Sequence, residues 1–423
     1  MRIIKVTNIE KFVSEILPKQ PQKNKSIVES ILKNVKKNGD KAIRKYEKQF
    51  SNATVSSFRL SKVEIKNAYS KVSKSELDAL RLAKRRLEKT ESTIKSLLKN
   101  ITINNDGIKI IKKFIPNQSI GCYIPGGLAR YPSSAIMSII PAKVAGVPKI
   151  VVVSPPNSDG KIDPLTVVAA DICGADEIYK TGGVQAIAAL SFGTKTIPKV
   201  DKIVGPGGAF VTTAKSLVSE QIGIDMLAGP TELGIIADSS ANSKFIALDL
   251  ISQAEHSSDT FCYLITTSEK LAKSVNTVIS DLLPKIQRAN FVKASLKNNG
   301  FIAICKTQSD VVKLANILSP EHLQVMTKNP ESISSKLTTS GLILLGHDTP
   351  SSASDYVLGS NHILPTNGFG KIRGSLSVLD FIKISTQVKC SKSSLIKLSK
   401  HLQVLTTSEG LFNHYESVRG RLQ

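Results

Sequence analysis

KIVVVSPP, Lys149–Pro156, is a short β-branched run stopped by two prolines. Apolar residues in unbroken succession, bounded by a turn signal, read as a strand buried on both faces, because a half-exposed strand would alternate with polar residues. The same texture extends on both sides of it. SIGCYIP (119–125), EIYKTGG (177–183) and DKIVGPGG (201–208) read as strands; SSAIMSIIPAKVAG (133–146), DPLTVVAADICGA (163–175), VQAIAALSFG (184–193) and AFVTTAKSLV (209–218) read as the helices between them. Strands alternating with Ala-rich helices are βαβ units on a parallel sheet.

The rhythm then recurs. FIALDLISQAEH (245–256), SEKLAKSVNTVISDLL (268–283) and SDVVKLANILS (309–319) are helical, and TFCYLITT (260–267), GFIAI (300–304), LQVMT (323–327) and GLILLG (341–346) are strands. Two parallel sheets are expected. The tail from Leu376 reads as largely helical and too small to fold alone.

At 423 residues the chain has room for two to four domains. No apolar run approaches the ~18 residues of a membrane span, and charge interrupts the first residues too often for a signal peptide, so a cytoplasmic protein is expected. Five dispersed cysteines without a CxxC pair argue against a disulfide framework or a thiolate zinc site and read as small buried hydrophobes. The net charge of +23 is an N-terminal property: residues 1–120 hold 28 Lys and Arg against 11 Asp and Glu, leaving 29 against 23 for the rest. Those cations lie on amphipathic helices such as SELDALRLAKRRLEKTESTIKSLLKN (75–100), where Ser75 and Asp78 are expected to form a capping box. No aromatic residues are interleaved with them as a stacking platform for nucleic acid requires, so they read as solvated faces.

Three Gly-containing loops follow strands: YIPGGLARYP (123–132), TGGVQA (181–186) and GPGGAF (205–210). None matches GxGxxG or a Walker A loop, yet together at βα turns they point to an anionic cofactor. The histidines carry more chemistry. Gln253 and His256 stand three apart on a helical pattern and share a face. Glu321 and His322 are adjacent at a helix-to-strand turn, where two titratable groups can serve one ligand as acid and base. Asp355 with His362, and Glu409 with His414, pair a hard oxygen with a nitrogen donor. Residue types alone lead to a metal-dependent α/β enzyme with a Glu/His acid-base pair, against a zinc hydrolase using Glu321 or a nucleic-acid binder.

IGIDMLAGPTELGIIAD (222–238), LDLISQAEH (248–256), SPEH (319–322), SDYVLGSNHILPT (354–366) and EGLFNH (409–414), in this order and spacing, resemble histidinol dehydrogenases over essentially the whole chain. The resemblance implies oxidation of L-histidinol to L-histidine through an enzyme-bound aldehyde, with NAD and one zinc per subunit. It implies Gln253, His256, Asp355 and His414 as zinc ligands, with the same four also contacting substrate, and Glu321 and His322 as the catalytic pair. Thr231, His322, His362 and Glu409 complete the implied substrate positions, and Tyr123, Gln185 and Gly208 the NAD positions. Gly208 departs from the Asn common in the family and lacks its side-chain amide. Thr231 keeps the hydroxyl of the more frequent Ser. A relative acting on another polar alcohol, such as a sulfonated diol, is the alternative.

The implied architecture is two Rossmann-like parallel-sheet domains without the GxGxxG fingerprint. Residues 1–24 are expected as an N-terminal arm, 25–120 with 232–375 as a first domain carrying most metal and acid/base residues, and 121–231 as the NAD-binding domain. Residues 376–423 are expected as a dimerisation tail that crosses a homodimer and brings Glu409 and His414 to the partner's site.

Overall fold

The computed structural model describes residues 1–16, 24–126 and 130–422. The chain opens with β1 (Arg2–Lys5), α1 (Ile9–Ile16), α2 (Lys25–Ser51), α3 (Lys62–Tyr69), α4 (Lys74–Ser96), β2 (Ile101–Asn105) and β3 (Ile108–Pro116). A first alternation follows: β4 (Ser119–Tyr123), α5 (Pro132–Ala145), β5 (Lys149–Ser154), α6 (Pro164–Ile172), β6 (Glu177–Lys180), α7 (Gly183–Phe192), β7 (Lys202–Val204), α8 (Ala209–Val218) and β8 (Gly223–Ile224). The second comprises β9 (Glu232–Ala237), α9 (Ser243–Ala254), β10 (Phe261–Thr266), α10 (Glu269–Leu282), α11 (Ala289–Asn298), β11 (Phe301–Ile304), α12 (Gln308–Leu318), β12 (His322–Met326), α13 (Pro330–Ser334), β13 (Leu342–Leu345) and α14 (Ser351–Ser354). The chain closes with β14 (Ile382–Cys390), α15 (Lys392–Ser408) and α16 (Phe412–Arg419).

Both alternations form parallel sheets. The first has the order β6-β5-β4-β7-β8 and the second β1-β11-β10-β9-β12-β13. In each, the chain starts centrally, winds outward to one side and then returns to the other, so a switch point lies between β4 and β7 and another between β9 and β12. KIVVVSPP is β5, with Ile150 to Val153 fully buried, as a strand covered on both faces must be.

The N-terminal segment differs from the expected grouping of 25–120 with 232–375. Val28, Ile31, Val35 and Ile43 of α2 pack with Val151, Val153 and α7, while Leu80 and Leu87 of α4 pack with α5 and α6. Both helices therefore cover the five-stranded sheet. An amphipathic stripe shows that a helix is covered, without naming the surface that covers it. The expected arm is in part a strand: β1 pairs with β11 at the edge of the six-stranded sheet, and residues 17–23 lie outside the described residues. The capping box of α4 uses Ser73 and Glu76, two residues before the expected Ser75 and Asp78.

The tail is also not helical throughout. β14 pairs antiparallel with β3, which pairs with β2 around the turn at Asp106 and Gly107, and the tail's helical residues are a 3-10 turn at Val378–Phe381 and the helices α15 and α16. Four cysteines are buried as expected, but Cys390 is exposed at the end of β14.

Candidate active site

Glu321 and His322 stand at the amino end of β12, beside the amino end of β9. The Glu321 carboxylate accepts at Oε2 from the Thr231 hydroxyl at 2.6 Å and from the Glu232 N–H at 2.9 Å. Both bonds fall on Oε2, so Oε1 is the oxygen left for a water or substrate. The His322 Nδ1 lies 3.3 Å from the Glu232 carbonyl oxygen. A carbonyl can only accept, so Nδ1 carries the proton and Nε2 is the nitrogen turned to the site. Nε2 lies 3.3 Å from Asp355 Oδ1, and neither of these buried atoms has an aligned hydrogen-bond partner among the described residues. Burial disfavours the imidazolium, but Glu321 and Asp355 outweigh it and push His322 up to about 10.

Asp355 caps α14, which packs on α9. Burial opposes its ionisation, yet His322, His362 and His256 around it hold its carboxyl below the ordinary range. Gln253 is buried near the end of α9 and donates from Nε2 to the Thr231 hydroxyl at 2.8 Å, which leaves its amide oxygen as the donor atom for a cation. The helix stops at Ala254, so His256 lies just past it; its N–H still bonds the Gln253 carbonyl, and the two stay together.

The loop from Asp355 to His362 folds back on itself. His362 donates from Nδ1 to the Asp355 carbonyl at 2.7 Å, and its Nε2 faces the Ser134 hydroxyl at 3.5 Å in the first turn of α5. Burial lowers the His362 pKa, which favours the neutral ring. The loop is pinned by an interruption in α5. Pro141 has no N–H to give the Met137 carbonyl, and Asn361 Nδ2 donates to that carbonyl instead at 2.8 Å.

Glu409 and His414 do not join this cluster within the chain. Both are exposed, and neither side chain bonds another of the predicted site residues. Among the described residues no three His, Cys, Asp or Glu side chains group closely enough to hold a metal ion. Of the expected ligands, Gln253 and His256 adjoin at the end of α9, and His256 is near enough to Asp355 to favour its charged form.

The expected cofactor residues lie at the carboxyl end of the five-stranded sheet. Gly205 follows β7 beside Tyr123 at the end of β4, at the switch point; its φ of +116° and the Tyr123 carbonyl, which a Cβ would strike, both demand glycine. The Tyr123 hydroxyl accepts from the Gly183 N–H at 3.1 Å, and Gln185 is buried in the first turn of α7. Gly208 is the N-cap of α8, and a side chain there would meet nothing within 4 Å. The N-caps of α5, α7 and α8 make no side-chain hydrogen bond, so three sets of helix-start N–H groups face this edge. Part of the loop 123–132, Gly127 to Ala129, lies outside the described residues. Ser134 links the two regions, for its helix begins at the cofactor edge and its hydroxyl reaches His362.

The sequence profile of histidinol dehydrogenases matches residues 18–422. The chain belongs to the histidinol dehydrogenase family. It is 41% identical over 396 residues to the histidinol dehydrogenase of Methanocaldococcus jannaschii, covering 94% of this chain and 92% of the relative. The enzyme of Clostridium acetobutylicum is 40% identical over 418 residues, covering 98% and 96%. The crystal structure of the histidinol dehydrogenase from Elizabethkingia anophelis superposes with a TM-score of 0.94 at 33% identity, covering 100% of this chain and 98% of that one. Membership in the histidinol dehydrogenase family makes the chain an NAD-dependent oxidoreductase of histidine biosynthesis. Among the described residues no helix is long and apolar enough to cross a membrane.

In this histidinol dehydrogenase fold, the contacts of two further residues near the cluster escape motif reading. Glu232 takes the Glu321 N–H on Oε2 at 3.1 Å and the Asn367 N–H on Oε1 at 2.9 Å, while its own main chain binds both Glu321 and His322. Burial, with Glu321 nearby, pushes its carboxyl up to about 8. Its sequence signals are its place in the AGPTE run and its position at the head of an otherwise apolar strand, ELGIIA, and neither shows which groups it binds. Ser134 has even less signal, being one of two serines after a helix-starting proline.

Proposed function

We propose that the cluster at the amino end of β9 and β12 oxidises L-histidinol to L-histidine in two steps, and that Glu321 and His322 move the protons. The observation that carries this is the fixed His322 tautomer, whose Nε2 faces Asp355 while Glu321 Oε1 stays open beside it. When bound, zinc would supply a cation that orients the nitrogen and oxygen donors of the substrate, and NAD a hydride acceptor. Gln253, His256 and Asp355 would hold the metal, and the unpartnered Asp355 Oδ1 fits that reading. Asp355 bound to a cation would stabilise the imidazolium less, freeing Nε2 to accept a proton.

His322 takes the alcohol proton at Nε2 as a hydride leaves the carbinol carbon. Glu321 then removes a proton from water that adds to the aldehyde, and a second hydride leaves the hydrate to give the carboxylate. One histidinol, one water and two NAD yield histidine, two NADH and three protons. His362, held by the Asp355 carbonyl, presents Nε2 to the substrate beside Ser134. Tyr123, Gln185 and Gly208 line the edge assigned to NAD, where the uncapped starts of α5, α7 and α8 suit a pyrophosphate.

The same reading assigns a homodimer with exchanged tails. Ile384, Val388, Val404, Leu405 and Phe412 are each at least 60% exposed, an apolar face that a second copy would cover. Glu409 and His414 ride on that tail and would complete the partner's site. The alternative of another polar alcohol as substrate has no support from the relatives named above, which are histidinol dehydrogenases.

The test is the stoichiometry of purified, zinc-loaded protein: NADH formed per L-histidinol consumed, with a chelated control. Two NADH per substrate, lost on chelation and restored by zinc, is the expected result. One NADH with free aldehyde would remove the second step, and turnover unaffected by chelation would remove the metal.

A further inference from the structure

Glu47 sits on α2, among the basic N-terminal helices, and is fully buried. Its Oε1 accepts three hydrogen bonds, from the Thr181 hydroxyl at 2.8 Å, the Gly182 N–H at 3.0 Å and Gln185 Nε2 at 2.9 Å. Oε2 accepts from Ser51 on the same helix at 3.2 Å. A buried carboxylate is costly to desolvate, and α2 already docks through Val28, Ile31, Val35 and Ile43, so docking alone does not call for one. All three bonds outside α2 go to one short stretch, the turn from the end of β6 into α7. They also fix the Gln185 amide: with Nε2 committed to Glu47, Oε1 points away beside Gly183, buried and without a hydrogen-bond partner among the described residues. A Cβ on Gly183 would lie 3.0 Å from that oxygen, and its φ of +59° independently favours glycine.

We infer that Glu47 is a positioning residue for the cofactor: it holds the turn 181–185 in the shape that receives NAD. This rests on the assignment of Gln185 to the cofactor made above. The turn after β7 is secured comparably, since the buried Asp225 carboxylate accepts from the Gly205 N–H at 2.8 Å and Lys215 donates to the Gly205 carbonyl at 3.0 Å. An N-terminal helix thereby reaches the cofactor edge through a single carboxylate.

The test uses zinc-loaded enzyme, with NADH as the probe; the chain has no tryptophan, so NADH emission is read against a low background. Glu47→Gln, Thr181→Val, Gln185→Ala and the double variant Glu47→Gln/Gln185→Ala are compared. Glu47→Gln is expected to raise the NADH Kd and the KM for NAD by roughly five- to tenfold. The KM for histidinol should stay within about twofold, a split that general loosening of the fold would not give. Thr181→Val should move both NAD constants the same way by less, and it carries the test if Glu47→Gln does not fold. The double variant should be no weaker than the worse single one. If Gln185→Ala weakens NADH binding while Glu47→Gln and Thr181→Val do not, Glu47 has no such role. If Gln185→Ala also leaves binding unchanged, the assignment of this turn to NAD fails, and the role of Glu47 fails with it. A lower Tm with unchanged NADH Kd would mark Glu47 as structural only.

Discussion

At the scale of single residues, the proposed acid/base pair depends on a neighbour. Glu232 binds the main chain at 321 and 367 with one carboxylate, and its own main chain fixes Glu321 and His322. Glu232→Gln turns an amide NH2 toward one of two N–H donors, so it is expected to lose about 1–3 kcal/mol of stability. Displacing the pair by a fraction of an ångström should lower kcat by roughly 10- to 100-fold, with little change in the KM for NAD. Urea denaturation and steady-state kinetics on one preparation check both; an unchanged kcat would remove Glu232 from the machinery. Gly208→Asn is expected to act oppositely. The site is open, and Asn there can cap α8, adding a few tenths of a kcal/mol. If the amide also reaches the cofactor, the KM for NAD falls about two- to tenfold; no change would remove position 208 from the cofactor residues. Motif residues such as Glu321, His322, Gln253 and His256 are legible because they stand in short runs of unusual composition. Glu47 and Ser134 are not, and Glu232 stands in the AGPTE run without the run showing its contacts, because the partners of all three lie far away in the chain.

Elements were legible where the local pattern decides them and illegible where a distant partner does. Eight of the parallel strands read correctly, for a β-branched run between Gly and Pro has few other uses, while β1, β8 and the central β9 were not read as strands. β14 reads poorly, because IKISTQVKC is polar and exposed and becomes a strand through pairing with β3. The Asp106-Gly107 turn was an available signal for the β2–β3 hairpin. Where α4 meets the segment leading into β14, Glu91 accepts the Val378 N–H at 2.6 Å, and burial pushes its carboxyl up to about 7. A folded-state pKa above the unfolded one means that the folded state holds the extra proton between the two. Its contribution is then fully present below about 4.5 and is lost as pH rises through about 7. Wild-type stability should fall across this window, by no more than ~3 kcal/mol from this group, and Glu91→Gln should flatten the fall. Urea midpoints at pH 5, 6, 7 and 8 with the same slope in both would show that Glu91 does not titrate there.

For the whole molecule, the proposed homodimer is tested by which protomer completes each site. Glu321→Gln and His414→Ala are each expected to abolish turnover. If tails exchange, a mixed dimer of the two variants has one site with both lesions and one with neither. Co-refolding equal amounts should then restore about a quarter of wild-type activity, because half of the dimers are mixed and each has one good site. No recovery, with mixed dimers demonstrated by differential tags, would place Glu409 and His414 in their own chain's site.

Sequence alone determined what short-range chemistry can encode: two alternations of buried strands and helices, an adjacent Glu/His pair, and runs specific enough to mark the family. Tertiary structure alone decided which sheet α2 and α4 cover, and that Glu232 and Glu47 serve loops far from them in the chain. It also placed Glu321 and His322 at the amino end of one sheet and the expected cofactor residues at the carboxyl end of the other, with Ser134 of α5 reaching His362. The physical reason is that a hydrophobic period specifies an element's type and buried face, while its partner is chosen by long-range packing and by which buried polar groups find one another.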